Sequence, residues 1–178
     1  MNKNIVLLVI LIVVVLAVAV FYYANKTEPI VVNSFDECVA AGYPVMESYP
    51  EQCKTPDGKT FVRDIGNELE KQDLIRVSSP RPNMLVQSPL TITGEARGTW
   101  FFEASFPIKL YDANGNQIGS AIAQAQSDWM TENFVPFKAT LEFQIPTAKK
   151  GTLVFEKDNP SGLHENADSL IMPVYFSE

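Results

Sequence analysis

Hydrophobic positions fall into three regimes along the chain, and each predicts a different kind of element. From Ile5 to Tyr23 nineteen consecutive positions are apolar, with no charge, proline or glycine. As a helix that run spans roughly 28 Å, close to the thickness of a bilayer core. Its Val and Ile content suits a helix in lipid, where the backbone must satisfy its own hydrogen bonds. Phe21, Tyr22 and Tyr23 close it like an interfacial aromatic belt. Lys3 precedes the run and Lys26 follows it, so the charge bias is small; the expected orientation is N-terminus cytoplasmic with the bulk outside. Ala17-Val18-Ala19 has the small-x-small form of a cleavage site, which leaves a secreted product, cut near Ala19, as the alternative to a retained anchor over residues 1–26. Asn25-Lys26-Thr27 matches a glycosylation sequon close to that segment.

The second regime, residues 27–65, is mixed and short-ranged. Ser34-Phe35-Asp36-Glu37 places a capping hydroxyl three positions before a carboxylate, which predicts a helix from Phe35 to about Ala41, stopped by Gly42 and Pro44. Val45–Tyr49 and Lys59–Val62 predict two brief strands around Cys53, with Thr55-Pro56-Asp57-Gly58 as the turn. Cys38 and Cys53 are the only thiols of the chain. Without Cys-x-x-Cys spacing or a nearby histidine, a structural disulfide is the expectation, worth roughly 3 kcal/mol to so small a unit in the chain-entropy model. Residues 66–73 are charged and polar and are expected to form a linker or short exposed helix.

After Asp73 the pattern changes to β-branched and aromatic runs punctuated by Pro, Gly and Asn, which predicts an all-β sandwich over residues 74–178. Seven strands are expected: 74–78, 90–96, 100–112, 117–124, 137–145, 151–156 and 171–176. Asp112-Ala113-Asn114-Gly115-Asn116 carries the Asn-Gly pair of a tight hairpin. Ala139, Leu141 and Phe143 alternate with Lys138, Thr140 and Glu142, so one face is buried and the other wet.

Charge and composition narrow the function classes. A formal charge of −7 disfavours nucleic acid as a partner, since phosphate neutralisation needs a basic face. One histidine and two cysteines leave little for a histidine triad or a zinc site, so neither a cofactor nor a metal is expected. His164 lies in the polar loop 158–168, whose Asp, Asn and Glu side chains offer oxygen ligands without the spacing of a calcium loop. Trp100, Phe101 and Phe102 in a row cannot all face one side of a strand, and Trp129 and Phe134 form a second apolar cluster in a connection. These five residues are the candidate binding patch for peptide or glycan; the alternative is a loop folded back to plug the core. Glu95 and Glu103 are the carboxylates a glycosidase reading would need, but nothing sets their separation.

Three stretches carry family resemblances. Cys53 to Phe61 resembles the Cys-x-x-Asp-Gly-Lys-Thr-aromatic stretch of Kazal-type inhibitors, with one residue inserted and the bracing cysteines missing. Ser34 to Val62 is similar to a small two-cysteine motif of exported bacterial proteins. Ser79-Pro80-Arg81-Pro82-Asn83, Ser88 to Ala96, Trp100 to Pro107 and Pro173-Val174-Tyr175-Phe176 resemble the immunoglobulin-like domain associated with bacterial spore germination proteins. That last resemblance covers Ile75 to Phe176 and implies an immunoglobulin-like sandwich in the cell envelope. The resulting expectation is a non-enzymatic, membrane-anchored extracytoplasmic protein that contacts an envelope protein or cell-wall glycan. The alternative is a protease inhibitor or small-ligand receptor centred on the two-cysteine module.

Overall fold

The computed structural model describes residues 3–24 and 30–176, and the sequon Asn25-Lys26-Thr27 lies outside the described residues. The chain divides into two compact units, Met1–Val62 and Arg63–Glu178.

In the first unit the apolar run forms helix α1 (Lys3–Ala24). Its side chains are described at Lys3, Leu8 and residues 11–23, and those of Phe21, Tyr22 and Tyr23 are strongly exposed. Among the described residues no helix is long and apolar enough to cross a membrane.

Helix α2 (Phe35–Ala40) starts where the capping pattern places it. Ser34 Oγ accepts from Glu37 N–H at 3.2 Å, and Glu37 Oε2 accepts from Asn33 N–H at 2.8 Å. Gly42, at φ 79°, ends it in the left-handed region. A three-stranded antiparallel sheet follows, in the order β1 (Val45–Met46), β2 (Gln52–Lys54), β3 (Thr60–Val62). The sequence anticipated two strands around Cys53; instead Cys53 lies in the central one and bonds to Cys38 of α2. Both half-cystines are fully buried with Val32 and Phe35, so the bond is itself much of this small core.

The second unit is one curled eight-stranded sheet in the order β4-β6-β9-β8-β7-β10-β11-β5. The strands are β4 (Ile75–Ser79), β5 (Leu85–Val86), β6 (Leu90–Arg97), β7 (Ser105–Asp112), β8 (Gln117–Ala125), β9 (Phe134–Leu141), β10 (Lys150–Glu156) and β11 (Ser169–Phe176). β8 pairs with β7 along its length but with β9 only at Gln124–Lys138 and Ala125–Phe137. The sheet folds over at that seam into a β4-β6-β9 layer and a β8-β7-β10-β11-β5 layer. Their inward residues, among them Ile92, Phe137, Phe106, Leu110, Phe155 and Met172, form one core. Aromatic contacts cross between the layers, Phe106 with Phe137 at 4.9 Å and Phe143 with Phe176 at 5.8 Å. This is the expected sandwich, closed at one side by continuous pairing.

Three boundaries differ from expectation. Residues 100–104 are not strand: Gly98–Trp100 forms a 3-10 turn, and Glu103 and Ala104, at φ 48° and 60°, reverse the chain between Phe102 and Ser105. β9 begins at Phe134 and ends at Leu141, so residues 142–145 lie outside it. β5 is a two-residue strand that the pattern does not announce.

The segment expected to be a linker or short exposed helix belongs to the second unit. Helix α3 (Glu68–Lys71) lies within it, with Ile65 and Glu68 buried. Asn67 N–H donates to the Ile171 carbonyl at 3.2 Å, and the Asn67 side chain accepts from Ile171 N–H at 2.7 Å while donating to the Ser169 carbonyl at 3.0 Å. The side-chain amide thus acts as one more peptide group along the edge of β11, covering an edge that would otherwise invite pairing. Gly66, at φ 69°, permits this approach, because a Cβ there would fall 1.8 Å from the Ile171 oxygen.

Candidate functional site: a polar cleft on the sandwich

The five expected patch residues do not share a surface. Trp100 and Phe101 are buried in the core, Phe101 against Phe106 at 5.2 Å. The Trp100 indole N–H is buried without an acceptor among the described residues, so the ring acts as bulk rather than as a polar anchor. Phe102 is exposed beside the reversal, and Trp129 packs half-buried against the core. Phe134 lies between guanidinium groups, 4.1 Å from that of Arg76 and 4.0 Å from that of Arg97. The two aromatic clusters do meet, because Gly98 donates to the Asn133 carbonyl and Arg97 Nη1 to that of Glu132. A Cβ at Gly98 would collide with the carbonyls of Trp129 and Thr131. The loop is folded down as a plug, which corrects the binding-patch expectation for Trp100, Phe101 and Trp129.

A cleft of about 660 Å³ instead opens on the sandwich between α3, the ends of β7 and β10, and the 157–168 loop. Pro107, Glu156 and Ser169 form its floor, α3 supplies Glu70 and Lys71, and the loop supplies Lys157, Asp158, Asn159 and Asp168. Its walls are braced by ion pairs. Lys71 Nζ lies 2.6 Å from Asp168 Oδ1, and Lys109 Nζ 2.8 Å from Glu156 Oε1. The hydrogen bond to Glu156 raises the Lys109 ammonium above its usual range, against a smaller opposing effect of burial. Asp158 N–H donates to the Trp100 carbonyl and Lys157 N–H to the Asp168 carbonyl, which ties the loop to the core. Beneath α3, burial pushes the Glu68 carboxyl up, opposed by the charge and hydrogen bond of Arg81.

The cleft therefore mixes carboxylates and ammonium groups on a rigid frame, which suits a polar ligand offering both donors and acceptors. The loop residues Asp158 and Asp168 were singled out by composition. Glu70 and Lys71 were missed, since only the tertiary packing of α3 brings them here.

The remaining candidates stand apart. His164 is exposed in a 3-10 turn, His164–Asn166. Glu95 pairs with Arg76 at 3.2 Å, Glu103 sits in the reversal, and neither lines the cleft. The Asp112 carboxylate is taken by Asn114 and Asn116 of its own hairpin. Among the described residues no three His, Cys, Asp or Glu side chains converge as a metal group. The first unit has a smaller, more apolar cleft of about 400 Å³, walled by Ile30, Val31, Val32, Tyr43, Pro56 and Lys59 among others.

Curled sheet, two-layer core and surface loops together define an immunoglobulin-like sandwich. The chain belongs to the Gmad2 family, the immunoglobulin-like domain of bacterial spore germination, whose model matches residues 74–163. The match runs from the start of β4 into the cleft loop; β11 lies beyond it and completes the same sheet. No curated protein and no solved structure matches the chain.

Proposed function

We propose that this protein is a non-enzymatic, membrane-anchored recognition module of the bacterial envelope, presenting its sandwich outside the membrane and taking a protein or cell-wall ligand in the polar cleft. The cleft carries the reading: mixed charges on a frame fixed by two ion pairs and backbone bonds offer recognition rather than a nucleophile with its base. Membership of an immunoglobulin-like family favours binding over catalysis, although fold by itself assigns no function. Anchoring rests on the nineteen-residue apolar run of the sequence alone. The disulfide favours an oxidising compartment.

The test is capture from native envelope by the detergent-solubilised full chain, beside a Lys157→Glu, Asp158→Lys variant whose fold is checked by circular dichroism. Retention of a specific component by the wild type and its loss by the variant supports the cleft. Equal retention by both moves the contact elsewhere. A second reading, small-ligand capture by the two-cysteine module, rests on the apolar cleft of the first unit; there Tyr43→Ala, and not the Lys157 variant, abolishes retention.

A further inference from the structure

The charges that line the polar cleft do not cancel, and those left over define a ligand chemistry. Pro107, Glu156 and Ser169 form one row across β7, β10 and β11, since Glu156 pairs with Ser169 and follows the Phe155–Ile108 pair. Around this floor the charged lining groups are Lys71 and Lys157 against Glu70, Glu156, Asp158 and Asp168. Two of the carboxylates are answered from within the protein. Asp168 Oδ1 takes Lys71 Nζ at 2.6 Å and the Ser169 N–H at 2.8 Å, and Glu156 Oε1 takes Lys109 Nζ at 2.8 Å. Among the described residues the side chains of Glu70, Lys157 and Asp158 make no ion pair. Glu70 stands on α3, while Lys157 and Asp158 follow directly on the end of β10. Lys157 and Asp158 are half-buried, so salt screens them less than it screens charges on the open surface.

We propose that the cleft takes a peptide bearing a diamino acid, whose two ammonium groups meet Glu70 and Asp158 and whose carboxylate meets Lys157. This ligand class rests on the cleft being the recognition site of the protein. Two unanswered carboxylates and one unanswered ammonium are the complement of two ammonium groups and one carboxylate. A purely anionic ligand meets four carboxylates against two ammonium groups, on a chain whose formal charge is already −7. An uncharged glycan has nothing with which to neutralise the three groups. Pro107 and Ala167 add apolar lining along which the methylene chain between two ammonium groups can lie. The volume of about 660 Å³ is that of a site for one residue and its neighbours rather than for a folded partner.

The probe is lysine, which carries all three groups, titrated at low salt into the ¹⁵N-labelled full-length chain in detergent. The amide resonances of Glu70, Lys157, Asp158 and Ser169 are followed by NMR. The expected result is a saturable shift of these amides in the millimolar range. Cadaverine, without the carboxylate, and Nε-acetyl-lysine, without one ammonium, bind more weakly, and glutarate leaves the amides unmoved. Glu70→Gln and, independently, Asp158→Asn weaken lysine about threefold, whereas Glu95→Gln, outside the cleft, changes nothing. Should one cleft variant lose its circular dichroism, the other decides. Absence of a saturable shift, or glutarate or acetyl-lysine binding as well as lysine, overturns the ligand class. Peptides released from purified cell wall and peptides of digested envelope proteins then compete with lysine. Displacement by the wall peptides gives the wall as the source, displacement by the others alone gives a protein, and displacement by neither overturns the proposal. Failure of lysine to bind, beside envelope capture that Lys157→Glu, Asp158→Lys abolishes, overturns this class and leaves the cleft reading standing. Lysine binding beside capture indifferent to that variant overturns the recognition reading on which the class rests.

Discussion

Asp112 shows how one side chain fixes a turn, and why its acidity matters. Its Oδ1 accepts N–H bonds from Asn114 and Asn116, both at 2.9 Å, and its Oδ2 accepts from Asn116 Nδ2 at 3.0 Å. Gly115, at φ 82°, supplies the left-handed residue that the β7–β8 hairpin requires. These bonds are made to the charged form, so they hold the carboxyl below its ordinary value of 3.8, the bond from the Asn116 side chain contributing most. A depressed carboxylate contributes stability that is present above the ordinary value and is lost as pH falls through the lower folded one. The Asn114 and Asn116 amide resonances should therefore titrate together with a midpoint below 3.8, followed by NMR from pH 5 to 2. A midpoint at or above 3.8 would mean that the carboxylate does not hold the turn. The alternating Asp and Asn of this turn are thus accounted for by a hairpin that supplies its own donors.

At the scale of elements, the edge of β11 is completed by a side chain rather than a strand. Asn67 precedes α3 as its N-cap residue yet makes no capping bond with its side chain, because the amide is committed to Ser169 and Ile171. Asn67→Ala leaves one carbonyl and one N–H of the strand without protein partners and should cost about 1–3 kcal/mol, read as a lower denaturant midpoint. Amide exchange at Ile171 should accelerate while that at Leu153, in the middle of the sheet, does not. Unchanged exchange at Ile171 would show the edge to be held by other means. This contact also marks what was legible in the sequence. Ser34 with Glu37, the two cysteines, the Asn-Gly hairpin and most strands obey local rules of spacing, so they could be read. Residues 66–73 look like a polar linker because the partner of Asn67 lies a hundred positions away, and no local pattern encodes it. Trp100 to Ala104 reads as strand because it is aromatic, but Gly98 and two positive-φ residues turn it. One wall of the cleft was hidden for the same reason, since Asn67, Glu70 and Lys71 belong to that segment.

For the whole molecule, the two units draw their stability from different sources, and reduction separates them. Among the described residues of the first unit the buried core is Val32, Phe35 and the two half-cystines, far too little apolar surface to hold three short strands and a helix unaided. Its Cys38–Cys53 bond closes a separation of 15 residues, and releasing it removes roughly 3 kcal/mol in the chain-entropy model. The second unit has no cysteine and a core crossing two sheet layers, so thiol reagents have no covalent target there. Both tryptophans, Trp100 and Trp129, lie in this second unit, which makes their fluorescence a reporter of the sandwich alone. Dithiothreitol should therefore collapse exchange protection across Phe35–Phe61 while leaving the tryptophan-detected denaturant midpoint where it was. A shift of that midpoint on reduction would show that the sandwich depends on the disulfide module for its stability. An unchanged midpoint with protection retained at Phe35 and Phe61 would show that the small unit holds without its bond, against the weight its four-residue core places on it.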